Sequence, residues 1–234
     1  MPRSVTVAIV LSALVAAGAL GGAAILGQRA ARSAAQSGSA ATSGAPASTS
    51  VGVSGCLREP CQVLASTTVG GTSIELVADA GAASGRLRVG GSNSGQVIET
   101  TITDTGVLLT AESLQCAAGG PAACLIKGRR GAGVAGQVVV GRSGTWSALE
   151  KPFVSDAGHL VLGNVDGDTT LEVLAAQHDC AGADPATCVG RPVYLQVFAL
   201  TGQVVGCTKN YARLDKLPGY PAVQVSRSAL SPCR

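Results

Sequence analysis

The chain has 234 residues, of which 46% are hydrophobic, only 13% are charged and only 3% are aromatic. The formal charge of +3 arises in the first 50 residues, because Arg3, Arg29 and Arg32 lie there and all 14 acidic residues follow. Residues 51–234 therefore have no net charge, which excludes a general attraction for nucleic acid or anionic lipid.

The first predicted element is an uncharged apolar segment over residues 5–27. As a helix rising about 1.5 Å per residue, it would span roughly 34 Å, enough to cross the hydrocarbon core of a bilayer. This run is longer than the apolar region of most signal peptides. We therefore expect residues 1–27 to be an uncleaved signal-anchor with the membrane as its partner; a cleaved signal peptide is the alternative.

Residues 28–50 are small and polar and include Pro46. Such a segment buries too little apolar surface to order itself, so we expect a disordered tether between the anchor and an outer domain over residues 51–234. Abundant Ala, Gly, Val and Arg beside few Lys suggest a bacterial source.

All eight cysteines lie in the outer domain. This number fits an oxidising compartment and places the domain outside the cell, either attached to the membrane by one pass or secreted after cleavage. The spacings do not match common zinc modules. Eight cysteines allow 105 arrangements, of which the simplest pairs near neighbours: Cys56–Cys61, Cys116–Cys124, Cys180–Cys188 and, by elimination, Cys207–Cys233.

Three segments of the outer domain, residues 61–78, 96–111 and 160–175, each show an apolar strand, a polar or Gly-rich turn and a second strand. The last two lie 64 residues apart, as do the loops closed by Cys116–Cys124 and Cys180–Cys188, which indicates duplication. Further strands are predicted at 85–90, 136–141, 193–200 and 203–207. The expected fold is all-β, either propeller-like (partial or small) or a β-sandwich.

The turn within residues 163–173 carries Asn164, Asp166, Asp168 and Glu172. It resembles the calcium loop of FG-GAP repeats in integrin-alpha-type β-propellers, although Thr169 stands where that loop has glycine. The resemblance implies that these four side chains bind calcium, weakly as in other extracellular modules. The alternative is a polar turn whose Asn and Asp side chains bond their own backbone.

No catalytic constellation is evident, because His159 and His178 do not accompany a recognisable nucleophile motif. With no catalytic residues and no cofactor beyond weakly bound calcium, we expect a non-catalytic binding or scaffolding protein of the cell envelope, whose partner is an envelope protein or polymer. The alternative is an extracytoplasmic hydrolase using carboxylates. Its acids would come from Asp156, Asp166, Asp168 and Glu172, and it requires them to converge in one pocket.

Overall fold

The computed structural model describes residues 56–91, 95–181 and 188–233. These residues form an all-β structure of three antiparallel sheets, with a few short 3-10 helices in the connections. The predicted anchor at 1–27 and tether at 28–50 lie outside the described residues. Within the described ranges, no helix has the length and apolar character needed to span a bilayer.

The first sheet is a four-stranded meander in which each strand pairs with the next along the chain. Gly70 and Gly71, both with positive φ, form the two-residue turn that joins its first two strands, which suits the twist of a β-hairpin. The strands are β1 (Gln62–Val69), β2 (Thr72–Ala78), β3 (Gly85–Val89) and β4 (Gln96–Glu99).

The second sheet repeats this meander and gains a fifth strand that pairs with the beginning of β7. Its strands are β5 (Leu114–Ala117), β6 (Ala122–Arg130), β7 (Gly133–Arg142), β8 (Thr145–Ala148) and β9 (Phe153–Ser155). The third sheet is again a four-stranded meander. Its strands are β10 (Leu160–Gly163), β11 (Glu172–His178), β12 (Val193–Ala199) and β13 (Val204–Cys207).

The three sheets stack in chain order because their central strands bury both faces. In β6, Ile126 joins a core shared with the first sheet, and its neighbour Leu125 joins a core shared with the third sheet. In β11, Val173 faces the second sheet, and Leu174 joins a core with Leu217 of the C-terminal segment, residues 208–233, which follows β13. Successive side chains of a strand point to opposite faces, so β6 and β11 each contribute to two cores.

The disulfides connect the cysteines in the four predicted pairs, and no free cysteine occurs in the described part of the chain. Cys116 lies directly opposite Cys124 in the β5–β6 pair, so this bridge closes a hairpin. Cys207–Cys233 fixes the end of the C-terminal segment against β13. Four such bridges indicate an oxidising, extracytoplasmic environment.

The predicted equivalence of residues 96–124 and 160–188 is wrong, although most predicted strands are confirmed. Residues 61–78 and 160–175 form hairpins, but 96–111 contains only β4 before a 3-10 helix, Ile102–Thr105. The apolar residues that suggested a second strand, Val107 and Leu109, are buried in the core between the first two sheets as part of a connection. The two cysteine loops also differ in position, because Cys180–Cys188 lies between the second and third strands of its sheet.

Candidate functional site

A cleft of about 780 Å³ opens at the end of the third sheet where β11 finishes. We call it the end cleft. Residues from β9 and its following turn, the end of β11, β12 and the segment after β13 line it. Its lining includes Asp156, His178, Asp179, Tyr194, Lys209 and Asn210. Its volume lies within the usual range for small-ligand sites.

Asp156 and His178 are held together at one side of the end cleft. Asp156 Oδ1 accepts a hydrogen bond from the backbone N–H of His178 at 2.7 Å and lies 3.3 Å from His178 Nδ1. Gln177 fixes the turn that carries Asp156, because its Nε2 donates to Val154 O at 2.7 Å and its Oε1 accepts from Asp156 N at 3.3 Å. The carboxylate therefore binds the backbone of His178, lies beside its imidazole and connects the turn after β9 to the end of β11.

Asp179 and Tyr194 form the other polar group of the cleft. Asn210 Nδ2 donates to Asp179 Oδ2 at 2.5 Å, which ties the end of β11 to the segment after β13. Partial burial raises the pKa of Tyr194, and the charges of Asp156 and Asp179 raise it further. The phenol therefore stays protonated and faces a negative environment from both carboxylates.

Two hydroxyls in the same lining are occupied by structural hydrogen bonds. Thr208 Oγ1 accepts from Leu195 N at 3.0 Å and donates to Lys209 O at 3.0 Å. Ser231 Oγ donates to Cys207 O at 3.3 Å. Neither hydroxyl has a histidine among the hydrogen-bond partners shown within the described residues, so neither has the partner that activates a serine or threonine nucleophile.

Two clusters of possible metal ligands contain a disulfide. The Asp156 carboxylate lies near the sulfur atoms of Cys180 and Cys188, and Glu59 lies near those of Cys56 and Cys61. In both clusters the sulfurs are bonded to each other. Because a metal binds the thiolate form of cysteine, each cluster retains one carboxylate as its only strong ligand.

The predicted calcium loop lies between β10 and β11. Asn164 Oδ1 accepts from Gly167 N at 2.6 Å, and Asn164 Nδ2 donates to Asp168 O. Asp168 Oδ1 accepts from Thr170 N at 2.6 Å. These bonds are the local side-chain-to-backbone contacts of a polar turn.

The remaining two predicted calcium ligands bond to neighbouring segments. Asp166 Oδ2 lies 3.4 Å from Arg227 Nη1 of the C-terminal segment. Glu172 is buried, and its Oε2 accepts from Val165 N at 3.0 Å. Burial raises the pKa of Glu172; the nearby Asp166 and Asp168 charges raise it further, against the Val165 hydrogen bond and the Arg227 charge. Asn164, Asp166 and Asp168 thus lie in the loop between β10 and β11, Glu172 begins β11, and each of the four already has a protein partner.

The structure does not bring together the four acids of the hydrolase hypothesis. Asp156 lies beside His178, the last residue of β11, whereas Glu172 is the first residue of that strand. At about 3.3 Å per residue, the strand separates these ends by about 20 Å. Asp166 and Asp168 belong to the loop at the Glu172 end.

Tyr194, Lys209 and Asn210 are cleft residues that the sequence analysis did not identify. Tyr194 belongs to β12, Lys209 and Asn210 follow β13, and none belongs to a recognisable motif. The only local signal was the dipeptide His178-Asp179 immediately before a disulfide cysteine. No protein-family model, curated protein or solved structure matches the chain.

Proposed function

We propose that this protein is a non-catalytic binding protein of the cell envelope and that the end cleft receives a polar ligand. The observation that carries the proposal is that polar side chains of the cleft are fixed by hydrogen bonds to the protein. Asp156, Asp179, Thr208 and Ser231 are each held by hydrogen bonds to the protein. Groups fixed in this way recognise a ligand without the entropy cost of ordering them, but they are poorly placed to exchange protons or attack a substrate.

The ligand class follows from the chemistry of the lining. Carboxylates accept hydrogen bonds, side-chain amides both donate and accept, and the Tyr194 hydroxyl donates in its protonated form. A polymer rich in hydroxyl, amide and amino groups satisfies all three. We therefore propose a polymer of the bacterial cell wall as the ligand, reached by a domain that residues 1–27 anchor to the outer side of the membrane.

Co-sedimentation with isolated bacterial peptidoglycan tests this proposal, using the full chain reconstituted in lipid nanodiscs. We expect Asp179→Asn and Tyr194→Phe to raise the Kd about tenfold, since each removes one polar contact in the cleft. Asp104→Asn is the matched control, because Asp104 is exposed and lies in the connection between β4 and β5, outside the lining of the end cleft. Binding that both cleft variants retain in full would place the ligand elsewhere.

The pairing of Asp156 with His178 favours a second candidate function, an extracytoplasmic hydrolase. An Asp that orients an imidazole is the arrangement used to activate a water or a hydroxyl. In this form the hypothesis uses Asp156 and His178 rather than the acids of residues 166–172. Release of soluble fragments from peptidoglycan by the wild type, abolished by His178→Gln, would support it over the binding function.

We further propose that the three sheets are blades of a partial propeller of the FG-GAP type, with calcium at Asn164, Asp166, Asp168 and Glu172. Consecutive four-stranded meanders that stack face to face support the blade interpretation. The position of the acidic loop between the first two strands of the third sheet supports the calcium site. A calcium titration tests it.

A further inference from the structure

A second cleft, of about 570 Å³, lies where the connection between the first two sheets meets β6. The connection contributes Leu108 and Thr110, β6 contributes Lys127 and Arg129, and β7 contributes Val134. β5 pairs with β6 only as far as Ile126, so among the described strands nothing pairs with this stretch of β6 on the cleft side. We call this site the side cleft.

Lys127 is the half-buried charge of the side cleft. Its Nζ donates to Leu160 O at 2.7 Å and to Gln115 Oε1 at 3.3 Å, and both acceptors are neutral. None of the ion pairs of the described residues includes Lys127. Burial lowers its pKa, as expected for an ammonium that has lost water without gaining a carboxylate. An anion in the cleft would supply the missing countercharge.

The charged side chains that line the side cleft are two cations and one carboxylate. Arg129 is exposed and lines the same cleft. Glu112 is the acidic residue of the lining, and its Oε2 accepts a hydrogen bond from Thr110 Oγ1 at 2.8 Å. Two cations against one carboxylate leave the cleft with a net positive charge, which favours a ligand with an anionic group.

The apolar side chains of the side cleft, Leu108 and Val134, are partly exposed. Leu108 is 59% exposed, although the adjacent Val107 is completely buried. Val107 packs closely on Gly128, where a Cβ atom would lie 2.4 Å from a Val107 methyl group, and this contact helps to fix the local backbone. Leu108 is therefore presented at the surface beside the partly buried Val134. Covering this apolar surface with an alkyl chain would remove it from water.

We propose that the side cleft binds a medium-chain alkyl carboxylate, with its carboxylate at Lys127 and Arg129 and its chain over Leu108 and Val134. The combination of two cations and exposed apolar side chains fits an amphiphilic anion. The side cleft and the end cleft share no lining residue, so this proposal does not depend on the function proposed for the end cleft.

Photocrosslinking with a diazirine derivative of octanoate tests this proposal on the full chain in lipid nanodiscs. Peptide mass spectrometry should locate the label within residues 106–113 or 127–134. Unlabelled octanoate should compete at concentrations at least about tenfold lower than octanol or octylammonium, because only octanoate pairs with Lys127.

Two cleft variants and two control variants show which side chains bind the octanoate probe. Lys127→Gln should lower labelling about tenfold, and Leu108→Asp should do the same without disturbing the core, because Leu108 is exposed. Lys151→Gln, at an exposed position just before β9, and Val204→Asp, at an exposed site of β13, should leave labelling unchanged.

Loss of labelling in both cleft variants, with both controls retained, supports the site. Equal competition by octanol overturns the role of Lys127. Labelling outside both peptide ranges, or labelling retained in Leu108→Asp, overturns the site itself.

Discussion

The side-chain amide of Gln96 pairs with the backbone of Trp146 as a peptide group would. Its Nε2 donates to Trp146 O at 2.5 Å, and its Oε1 accepts from Trp146 N at 3.1 Å. This pair joins β4 of the first sheet to β8 of the second. Gln115 makes the equivalent pair with Leu162, which joins the second sheet to the third. The stacked sheets are thus connected by glutamine side chains that satisfy backbone groups at strand edges.

Replacing Gln96 tests the contribution of this connection. Gln96→Leu leaves the N–H and C=O of Trp146 without their partner, and we expect it to lower the free energy of unfolding by about 1–3 kcal/mol. Gln203→Leu, at an exposed position beside the turn before β13, is the control and should change stability by less than about 0.5 kcal/mol. Urea denaturation of the two variants gives the comparison. Equal stability of both would mean that the Gln96 pair contributes nothing.

Asp79 and Arg86 form a completely buried ion pair in the first sheet. Arg86 Nη2 lies 2.7 Å from each carboxylate oxygen of Asp79, and both side chains are 0% exposed. Removing Asp79 leaves the exposed Glu99 carboxylate, 3.7 Å from Arg86 Nε, as the remaining ion-pair partner of the buried guanidinium among the described residues. We therefore expect Asp79→Asn to destabilise the protein by about 3 kcal/mol at neutral pH, the lower end of the range for a broken buried pair. Denaturant unfolding measures this loss, and a change below about 1 kcal/mol would contradict it.

The same pair predicts how stability depends on pH. Burial alone would raise the pKa of Asp79, but hydrogen bonds from Ser84 and Leu57 and the Arg86 charge hold it below the ordinary value of 3.8. A lowered pKa stabilises the folded state above about pH 4, and this stabilisation is lost as the pH falls through the folded-state value. The stability difference between wild type and Asp79→Asn should therefore shrink in acid. A difference that stays constant down to about pH 2 would contradict this explanation.

The pH dependence of stability contributed by Glu172 should have the opposite sign to that contributed by Asp79. Its pKa is raised above the ordinary value of 4.5, chiefly by burial. The folded state therefore binds the proton more tightly than the unfolded state does, and this side chain's contribution to stability falls as the pH rises above about 4.5. In Glu172→Gln the corresponding part of the pH dependence should disappear. Thermal melting of both proteins from about pH 4 to pH 8 measures it, with Glu150→Gln as the exposed control.

The strands and cysteine pairs could be predicted from sequence because their signals are local. Ile74-Glu75-Leu76 alternates with the period of a strand, and neighbouring cysteines close short loops. Val107 and Leu109 misled the prediction because an apolar residue is buried equally well in a connection. The end cleft could not be predicted, since Asp156, Asp179 and Asn210 meet only when three separate segments fold together.

Calcium at the loop of residues 163–173 predicts a ligand-dependent rise in Tm. Millimolar calcium should stabilise the wild type, because a ligand that binds only the folded state shifts the unfolding equilibrium. Asp168→Asn should abolish the rise, and millimolar magnesium should give a smaller one because it requires stricter geometry. A Tm that calcium leaves unchanged would eliminate the site.

Peptide mass spectrometry of protein isolated from cells with its thiols blocked is the most direct test that this domain is extracytoplasmic and that its disulfides join the predicted pairs. We expect the four bridges Cys56–Cys61, Cys116–Cys124, Cys180–Cys188 and Cys207–Cys233, with no blocked thiol at any of these positions. Blocked thiols at all eight cysteines would contradict the extracytoplasmic compartment, and bridges between different partners would contradict the arrangement of the strands that carry them.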